Sequence, residues 1–173
     1  METLVYTYRT EIRKLDKLKL FYVEIPLEAL EYFSKPDTKN IYNQRLMISI
    51  NACKPWHGGV VSLGNQTGYI TVKGSILKAL QLHEDAEADV VLTEDNSEYG
   101  MEFPEEFQEI LNQDPEAEQR FLALPMSKRR YIIYHISQVK SSVKRIERGW
   151  MMMENLKKLP KGQEEFRNIL GKE

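Results

Sequence analysis

The 173-residue sequence has little cysteine and no long apolar run. Its single cysteine, Cys53, excludes an internal disulfide and any zinc site built from several cysteines. No stretch approaches the roughly 20 apolar residues that a membrane-spanning helix requires. The first residues also lack the basic-then-apolar order of a signal peptide, so we expect a cytoplasmic protein without a membrane span.

The motifs of common enzyme and metal sites are also missing. There is no G-x-S-x-G nucleophile elbow, no phosphate-binding loop ending in Lys-Ser/Thr, and no H-E-x-x-H pair. The histidines His57, His83 and His135 have no second histidine or cysteine at ligand spacing. We therefore expect no catalytic residues, no metal and no cofactor, and we interpret the chain as a binding protein rather than an enzyme.

Basic residues are scarce in the first two thirds of the chain. Residues 1–119 contain 11 Lys/Arg and 21 Asp/Glu, whereas residues 120–173 contain 13 and 5. The overall net charge of −2 therefore combines an acidic part with a basic part. Such asymmetry predicts either two parts with different partners or two parts that attract each other.

Hydrophobic spacing divides the chain at about the same place. Runs of β-branched and aromatic residues with turn residues between them predict strands and short helices as far as "ADVVLTED". From Pro104 onward the spacing is helical, and the two longest helices, joined by a few residues, are expected to pair antiparallel. We predict an α+β fold with a β domain over residues 1–100 and a helical segment over residues 101–173.

Caps and turns give more local predictions. Ser75 is the predicted N-cap of a short helix, and Asp114 the predicted N-cap of a longer one. Gly64, Asn65 and Gly68 can supply the positive φ angles of a hairpin turn.

The last long helix carries an apolar stripe, from which we expect Trp150 and Met153 to be core. Its members are Val143, Ile146, Trp150, Met153 and Leu156. Met151 and Met152 lie off this stripe, and we predict that they contact a partner.

An internal repeat links two stretches of the β domain. "YVEIPLEAL", from Tyr22, and "YITVKGSIL", from Tyr69, share one pattern of strand, turn and short amphipathic helix at an offset of 47 residues. Two such units can pair around a pseudo-twofold axis and bury a common core.

The second copy also carries a family resemblance. "YITVKGSILKALQLHEDAEADVVL" resembles the swapped-hairpin unit of AbrB/MazE-like double-split β-barrels. The stretch from Tyr6 to Leu92 resembles the barrel found in YdeI/OmpD-associated proteins, which is packed into a single chain. The resemblance implies that residues 1–100 form a single-chain, pseudo-twofold double-split β-barrel.

Two positions depart from that family pattern. Asp85-Ala86 stands where such units usually have Gly-Asp, and Lys73-Gly74 stands where a strand-end proline is common. Because Asp tolerates the left-handed conformation, we expect the turn at Asp85 to survive.

The downstream segment "FLALPMSKRRYIIYHISQVKSSVKRIERGWMMMENLKKL" resembles the helical part of the same family, sometimes labelled bacteriocin-protection. The resemblance implies a bacterial protein with a role in bacteriocin or envelope-stress resistance. That label describes a phenotype and supplies no mechanism.

Basic residues and tyrosines alternate in the predicted helix pair, as they do on surfaces that hold phosphates and stack bases. We predict that a protein or anionic partner binds through Arg129, Arg130, Tyr134, Lys140, Lys144, Arg145 and Arg148. A nucleic-acid-binding regulator is the alternative, with the basic helices rather than the acidic barrel making the contacts. The structural interpretation is a solvated helix face, or a face docked on the barrel.

The stretch "PWHGG" is the remaining candidate. Trp56 and His57, with Lys73, are a possible ligand pocket at the barrel mouth, where an aromatic platform stands beside a titratable imidazole. A small-ligand receptor or an enzyme built on this pocket is the second alternative function. The structural interpretation is that Trp56 covers the barrel end while Gly58 and Gly59 permit a bulge or tight turn.

Overall fold

The computed structural model describes residues 2–172, so Met1 and Glu173, the outer ends of the two predicted domains, lie outside it. The chain divides into two compact units, the first ending at Asn96 and the second beginning at Ser97. The first unit is built mainly of antiparallel sheets and the second of helices. The predicted α+β class is therefore confirmed.

The described part of the N-terminal unit contains eight strands and two short helices. The strands are β1 (Val5–Glu11), β2 (Arg13–Leu15), β3 (Leu20–Ile25), β4 (Arg45–Ile50), β5 (Trp56–Gly59), β6 (Val61–Gly64), β7 (Thr67–Val72) and β8 (Glu87–Glu94). The helices are α1 (Leu27–Tyr32), after β3, and α2 (Gly74–Ala79), after β7.

These strands form two antiparallel sheets around one apolar core. The strand orders are β1-β8-β4-β5 and β2-β3-β7-β6. Alternation places Leu46, Ile48 and Ile50 of β4 in the core, where each is at most 2% exposed. The sheets are also joined by a hydrogen bond of 2.7 Å from the Tyr8 hydroxyl to the Glu24 carbonyl.

The internal repeat is visible in the strand pairing. Helices α1 and α2 begin and end at the predicted offset of 47 residues. Strands β3 and β7 pair antiparallel, and the equivalent residues Val23 and Ile70 face each other in the register. The strand that follows each helix also has its equivalent as its neighbour, because β4 and β8 are the two central strands of one sheet. Strands β3 and β7, which precede the helices, are the two central strands of the other.

Several local predictions in this unit are wrong. "WHGG" is strand β5, paired with β4, rather than a turn. A Cβ at Gly58 would lie 2.8 Å from Ile70 Cγ2, so the glycine serves close packing between the sheets. Helix α2 begins at Gly74 with Lys73 as its N-cap, so Ser75 lies inside the helix.

Turn geometry is partly as predicted. Gly64 and Asn65 have positive φ values of 91° and 51°, and Gln66 at 64° completes the β6–β7 turn. Gly68 does not have positive φ and lies inside β7. Asp85 adopts φ of 65°, which confirms the left-handed turn expected from its tolerance of that conformation.

The C-terminal unit consists of helices around a second core. They are α3 (Glu105–Gln113), α4 (Pro115–Leu122), α5 (Met126–Ser137), α6 (Ser142–Lys158) and α7 (Phe166–Ile169). Asp114 caps α4 by accepting a hydrogen bond from the Ala117 backbone N–H at 3.0 Å, as predicted. Among the residues described, no helix is long and apolar enough to cross a lipid bilayer.

The apolar stripe of α6 is buried only in its second half. Met153, predicted to be core, is fully buried like Leu156, and Trp150 packs against the core while partly buried. Val143, by contrast, is 64% exposed and Ile146 is 39% exposed. The core instead receives Met152, which is fully buried and is not a surface residue. The first half of α6 thus presents apolar side chains to solvent.

Candidate binding surface of the C-terminal unit

Helices α5 and α6 form the predicted antiparallel pair. The Arg145 guanidinium donates to the Val139 carbonyl at 3.3 Å, and the Arg148 guanidinium donates to the His135 carbonyl at 3.1 Å. The later residue of α6 therefore contacts the earlier residue of the α5 segment, as antiparallel packing requires. The second contact brings a cation to the end of α5, where three aromatic side chains lie.

Four rings cluster between α5 and α7. The Tyr131 ring lies 4.3 Å from that of His135 and 4.2 Å from that of Phe166, measured between centroids. The Tyr134 ring meets His135 edge-on at 5.7 Å. Because Tyr134 is 51% exposed and Phe166 is 41% exposed, both offer ring surface to a partner.

The electrostatic environment of His135 is positive. Burial, followed by the nearby charges of Arg148 and Lys172, holds the pKa of His135 below its ordinary value of 6.5. The imidazole is therefore neutral at neutral pH, and the positive charge of the cluster comes from Arg148 and Lys172.

One edge of α6 extends this cluster. Lys144, Arg148 and Met151 follow one another at spacings of four and three residues, so they share one side of the helix. Lys144 is exposed and Met151 is 40% exposed. Lys140 lies in the short α5–α6 connection, four residues before Lys144, and is also exposed.

We call this region the basic–aromatic surface. Its members are Tyr131, Tyr134, His135, Lys140, Lys144, Arg148, Met151, Phe166 and Lys172. It combines ammonium and guanidinium groups, which attract phosphates and carboxylates, with exposed rings that can stack on planar groups.

Two predicted partner-binding arginines make contacts within the unit instead. Arg129 donates to the carbonyls of Leu122 and Leu124, which closes the connection between α4 and α5. Arg145 pairs with Glu106, on α3. Arg130 is partly buried on α5, one turn before Tyr134, and it also has an interaction partner. A role in partner binding stays a prediction for all three.

Hydrogen bonds stabilise the ionised form of Glu106 in the Arg145–Glu106 pair. Hydrogen bonds from Arg145, from the Glu106 backbone N–H and from the Ser142 side chain lower the pKa of Glu106 from 4.5 to about 2. The pair therefore stays ionised at any physiological pH and ties α6 to α3.

The possible ligand pocket of the N-terminal unit is only partly assembled. His57 Nδ1 lies 2.7 Å from Asp95 Oδ2, and the Asp95 carboxylate is 2% exposed. Asp95 lines a polar cavity of about 310 Å³ that also contains Arg45 and Glu94. Trp56 packs against the core, and within residues 2–172 no hydrogen bond or ion pair joins Lys73 to His57. A ligand pocket at these residues stays a prediction.

Metal ligands are not grouped in the described part of the chain. Within residues 2–172 no three side chains of the types His, Cys, Asp and Glu converge as a metal site would require. Cys53 is a free thiol, partly buried.

Helix α7 contributes residues that no sequence prediction above includes. Phe166 and Lys172 join the basic–aromatic surface. The Asn155 side chain holds α7 by donating to the Ile169 carbonyl at 3.1 Å. Fully buried Ile169 anchors it as well. The amphipathic spacing of Phe166, Ile169 and Leu170 was the available signal.

These features define a small α-helical domain with a mixed basic and aromatic surface, attached to a separate β unit. No curated protein matches the chain. A family model matches residues 100–158, and its description is Bacteriocin-protection, YdeI or OmpD-Associated. The C-terminal unit therefore contains a domain of the YdeI/OmpD-associated family, which confirms the predicted resemblance of the helical segment. The match begins after the N-terminal unit and says nothing of an AbrB-like barrel.

Proposed function

We propose that the protein is a non-catalytic binding protein whose C-terminal unit engages an anionic macromolecular partner through the basic–aromatic surface. The observation that carries the proposal is that cationic side chains and exposed aromatic rings lie close together around His135. Arg148 and Lys172 are close enough to lower the pKa of His135, and the rings of Tyr134 and Phe166 are 51% and 41% exposed.

A nucleic-acid-binding regulator is the second candidate, and the same rings favour it. Single-stranded nucleic acid is held by cations along the backbone and by aromatic side chains that stack on bases. The basic–aromatic surface has both kinds of group. A duplex would use only the cations, so preference for single strands is the signature of this candidate.

We also propose a fold for the N-terminal unit, a physiological role and a cellular location. The pairing of equivalent residues Val23 and Ile70 supports a single-chain double-split β-barrel of AbrB-like type for the N-terminal unit. The description of the matching family supports a link to bacteriocin resistance in a bacterial cell, and we propose a cytoplasmic location.

Anisotropy titrations test the proposed function. The probes are labelled heparin, a single-stranded RNA oligonucleotide and a DNA duplex, each at low and at physiological salt. We expect micromolar or tighter binding of at least one probe that weakens steeply with salt. Preference for the RNA would favour the nucleic-acid candidate, and preference for heparin a protein or other polyanion. Failure of all three probes to bind at low salt would contradict the proposal.

Matched variants localise the binding. The double variant Lys140→Glu/Lys144→Glu reverses two exposed cations, and we expect affinity to fall more than about tenfold. The control Lys17→Glu/Lys39→Glu makes the same change in charge on exposed residues of the N-terminal unit. Equal losses in both variants would show a non-specific charge effect. Tyr134→Ala, which keeps the charge, separates stacking from attraction.

A further inference from the structure

A second surface of the C-terminal unit has the opposite character. Helices α3 and α6 lie side by side and run parallel, because Glu106 near the start of α3 pairs with Arg145, and Asp114 just after its end pairs with Lys157, further along α6. Between these ion pairs a Cβ at Gly149 would lie 2.6 Å from Ile110 Cδ1, so the two helices approach closely at the middle.

A groove of about 460 Å³ follows this helix pair. Its apolar part is formed by Ile110, Ile146 and Trp150, and its polar part by Glu105, Glu106, Glu109 and Gln113. We call it the α3/α6 groove. Its volume is in the range of concave ligand sites, roughly 300–1,000 Å³.

Within residues 97–172, no side chain covers the apolar side of the groove. Ile146 is 39% exposed and Val143, one turn earlier on the same side of α6, is 64% exposed. These are the residues whose spacing continues the buried stripe of Met153 and Leu156. The first half of α6 thus has the apolar pattern of a packed helix without the layer that would pack on it.

The rim of the groove is acidic. Glu105 and Glu109 are exposed on α3, one turn apart. Glu147 is exposed on α6, four residues after Val143 and three before Trp150, so it borders the apolar stripe. Glu106 is neutralised by Arg145, but the other three carboxylates favour a positively charged occupant.

We propose that the α3/α6 groove binds a basic amphipathic helix of a partner protein. Two parallel helices form a surface into which a third helix packs by ridges into grooves, with anchors at i, i+3 or i+4, and i+7. The apolar face of that helix covers Ile146 and Trp150, and its lysines or arginines meet Glu105, Glu109 and Glu147. This proposal stands apart from the basic–aromatic surface, which uses other residues and the opposite charge.

Tryptophan fluorescence tests the proposal directly. The chain has two tryptophans, so Trp56→Phe leaves Trp150 as the only reporter. The probe is a synthetic amphipathic helix made only of leucine and lysine, and its control is the same peptide with glutamate in place of lysine. We expect the lysine peptide to shift Trp150 emission to the blue with micromolar affinity. No shift, or an equal shift with the glutamate peptide, would overturn the proposal.

Two variants locate the peptide. Glu105→Gln/Glu109→Gln is expected to weaken binding roughly three- to thirtyfold, whereas Glu84→Gln/Glu116→Gln, with the same loss of charge elsewhere, is expected to leave it unchanged. Ile146→Gln should weaken binding more than about tenfold, and Leu122→Gln, at another exposed helical position, should not. Unchanged binding in the groove variants would overturn the proposal.

The other possible occupant is a second copy of the chain. Sedimentation of the protein without peptide distinguishes the two, because self-association through the groove would be abolished by Ile146→Gln. That result would replace the proposed partner helix with a homodimer. A monomer that binds the lysine peptide supports the proposal, whatever the anionic probes show.

Discussion

The Arg145 guanidinium donates two hydrogen bonds to one oxygen of Glu106, from Nε at 3.0 Å and from Nη2 at 2.8 Å. A residue whose sequence context suggests a free basic surface thus joins two helices of the C-terminal unit. Arg148 by contrast contacts α5, through the His135 carbonyl, and Lys144 is exposed.

Arg145→Ala should therefore destabilise the C-terminal unit. The variant removes the α3–α6 pair and the donor to the Val139 carbonyl, so we expect the thermal midpoint to fall by about 4 °C or more. Lys144→Ala is the control, because Lys144 is exposed and its neighbour in sequence. Scanning calorimetry measures both midpoints, and equal midpoints would show that Arg145 has no structural role.

The same pair predicts a loss of stability in acid. The pKa of Glu106 is about 2 in the folded chain and 4.5 ordinarily, so folding favours the ionised carboxylate. The stabilisation is complete above pH 4.5 and is lost as the pH falls toward about 2. Urea midpoints at several pH values in this window should fall more steeply for the native chain than for Arg145→Ala. Parallel curves would contradict the assignment.

Gly58→Ala should destabilise the N-terminal unit through packing alone. The added methyl would lie 2.8 Å from Ile70 Cγ2 and 3.3 Å from Ile48 Cγ2, between the two sheets. Overpacking of this kind costs about 1–3 kcal/mol. At Gly59 nothing lies within 4 Å of the added methyl, so Gly59→Ala is a matched control that should change stability little. Chemical unfolding of both variants decides the matter.

His135 should remain neutral to a lower pH than an ordinary histidine. Its pKa is lowered by burial and by Arg148 and Lys172, so the unfolded chain binds the proton first as the pH drops below 6.5. Folding stability should therefore decline below pH 6.5, and less so in His135→Gln. The imidazole resonances in an NMR titration report the folded pKa. A value at or above 6.5 would refute the described environment.

Much of this architecture follows from the sequence. Residue periodicity gives the α+β class, the cap at Asp114 and the repeat that brings Val23 opposite Ile70. These features depend on neighbours a few residues apart, or on a pattern that occurs twice.

The binding surfaces are harder to predict from the sequence, because they depend on which helices pack against each other in the folded chain. The period of α6 marks Val143 and Ile146 as apolar stripe residues but cannot show that both are exposed in the folded chain. A run of arginines likewise shows positive charge without showing that Arg129 and Arg145 turn toward carbonyls and Glu106. Helix α7 is four residues long, so the spacing of Phe166, Ile169 and Leu170 is the one signal for it, and so short a helix is marginal without the core that it packs on.

The most direct test of the central claim is an amide NMR titration of the isotopically labelled chain with the anionic probe that binds best. We predict that the largest shift changes cluster at Tyr134, Lys140, Lys144, Arg148 and Phe166 and diminish together as salt is added. Changes confined to residues 2–96, or to the α3/α6 groove, would contradict the proposal that the basic–aromatic surface is the binding site.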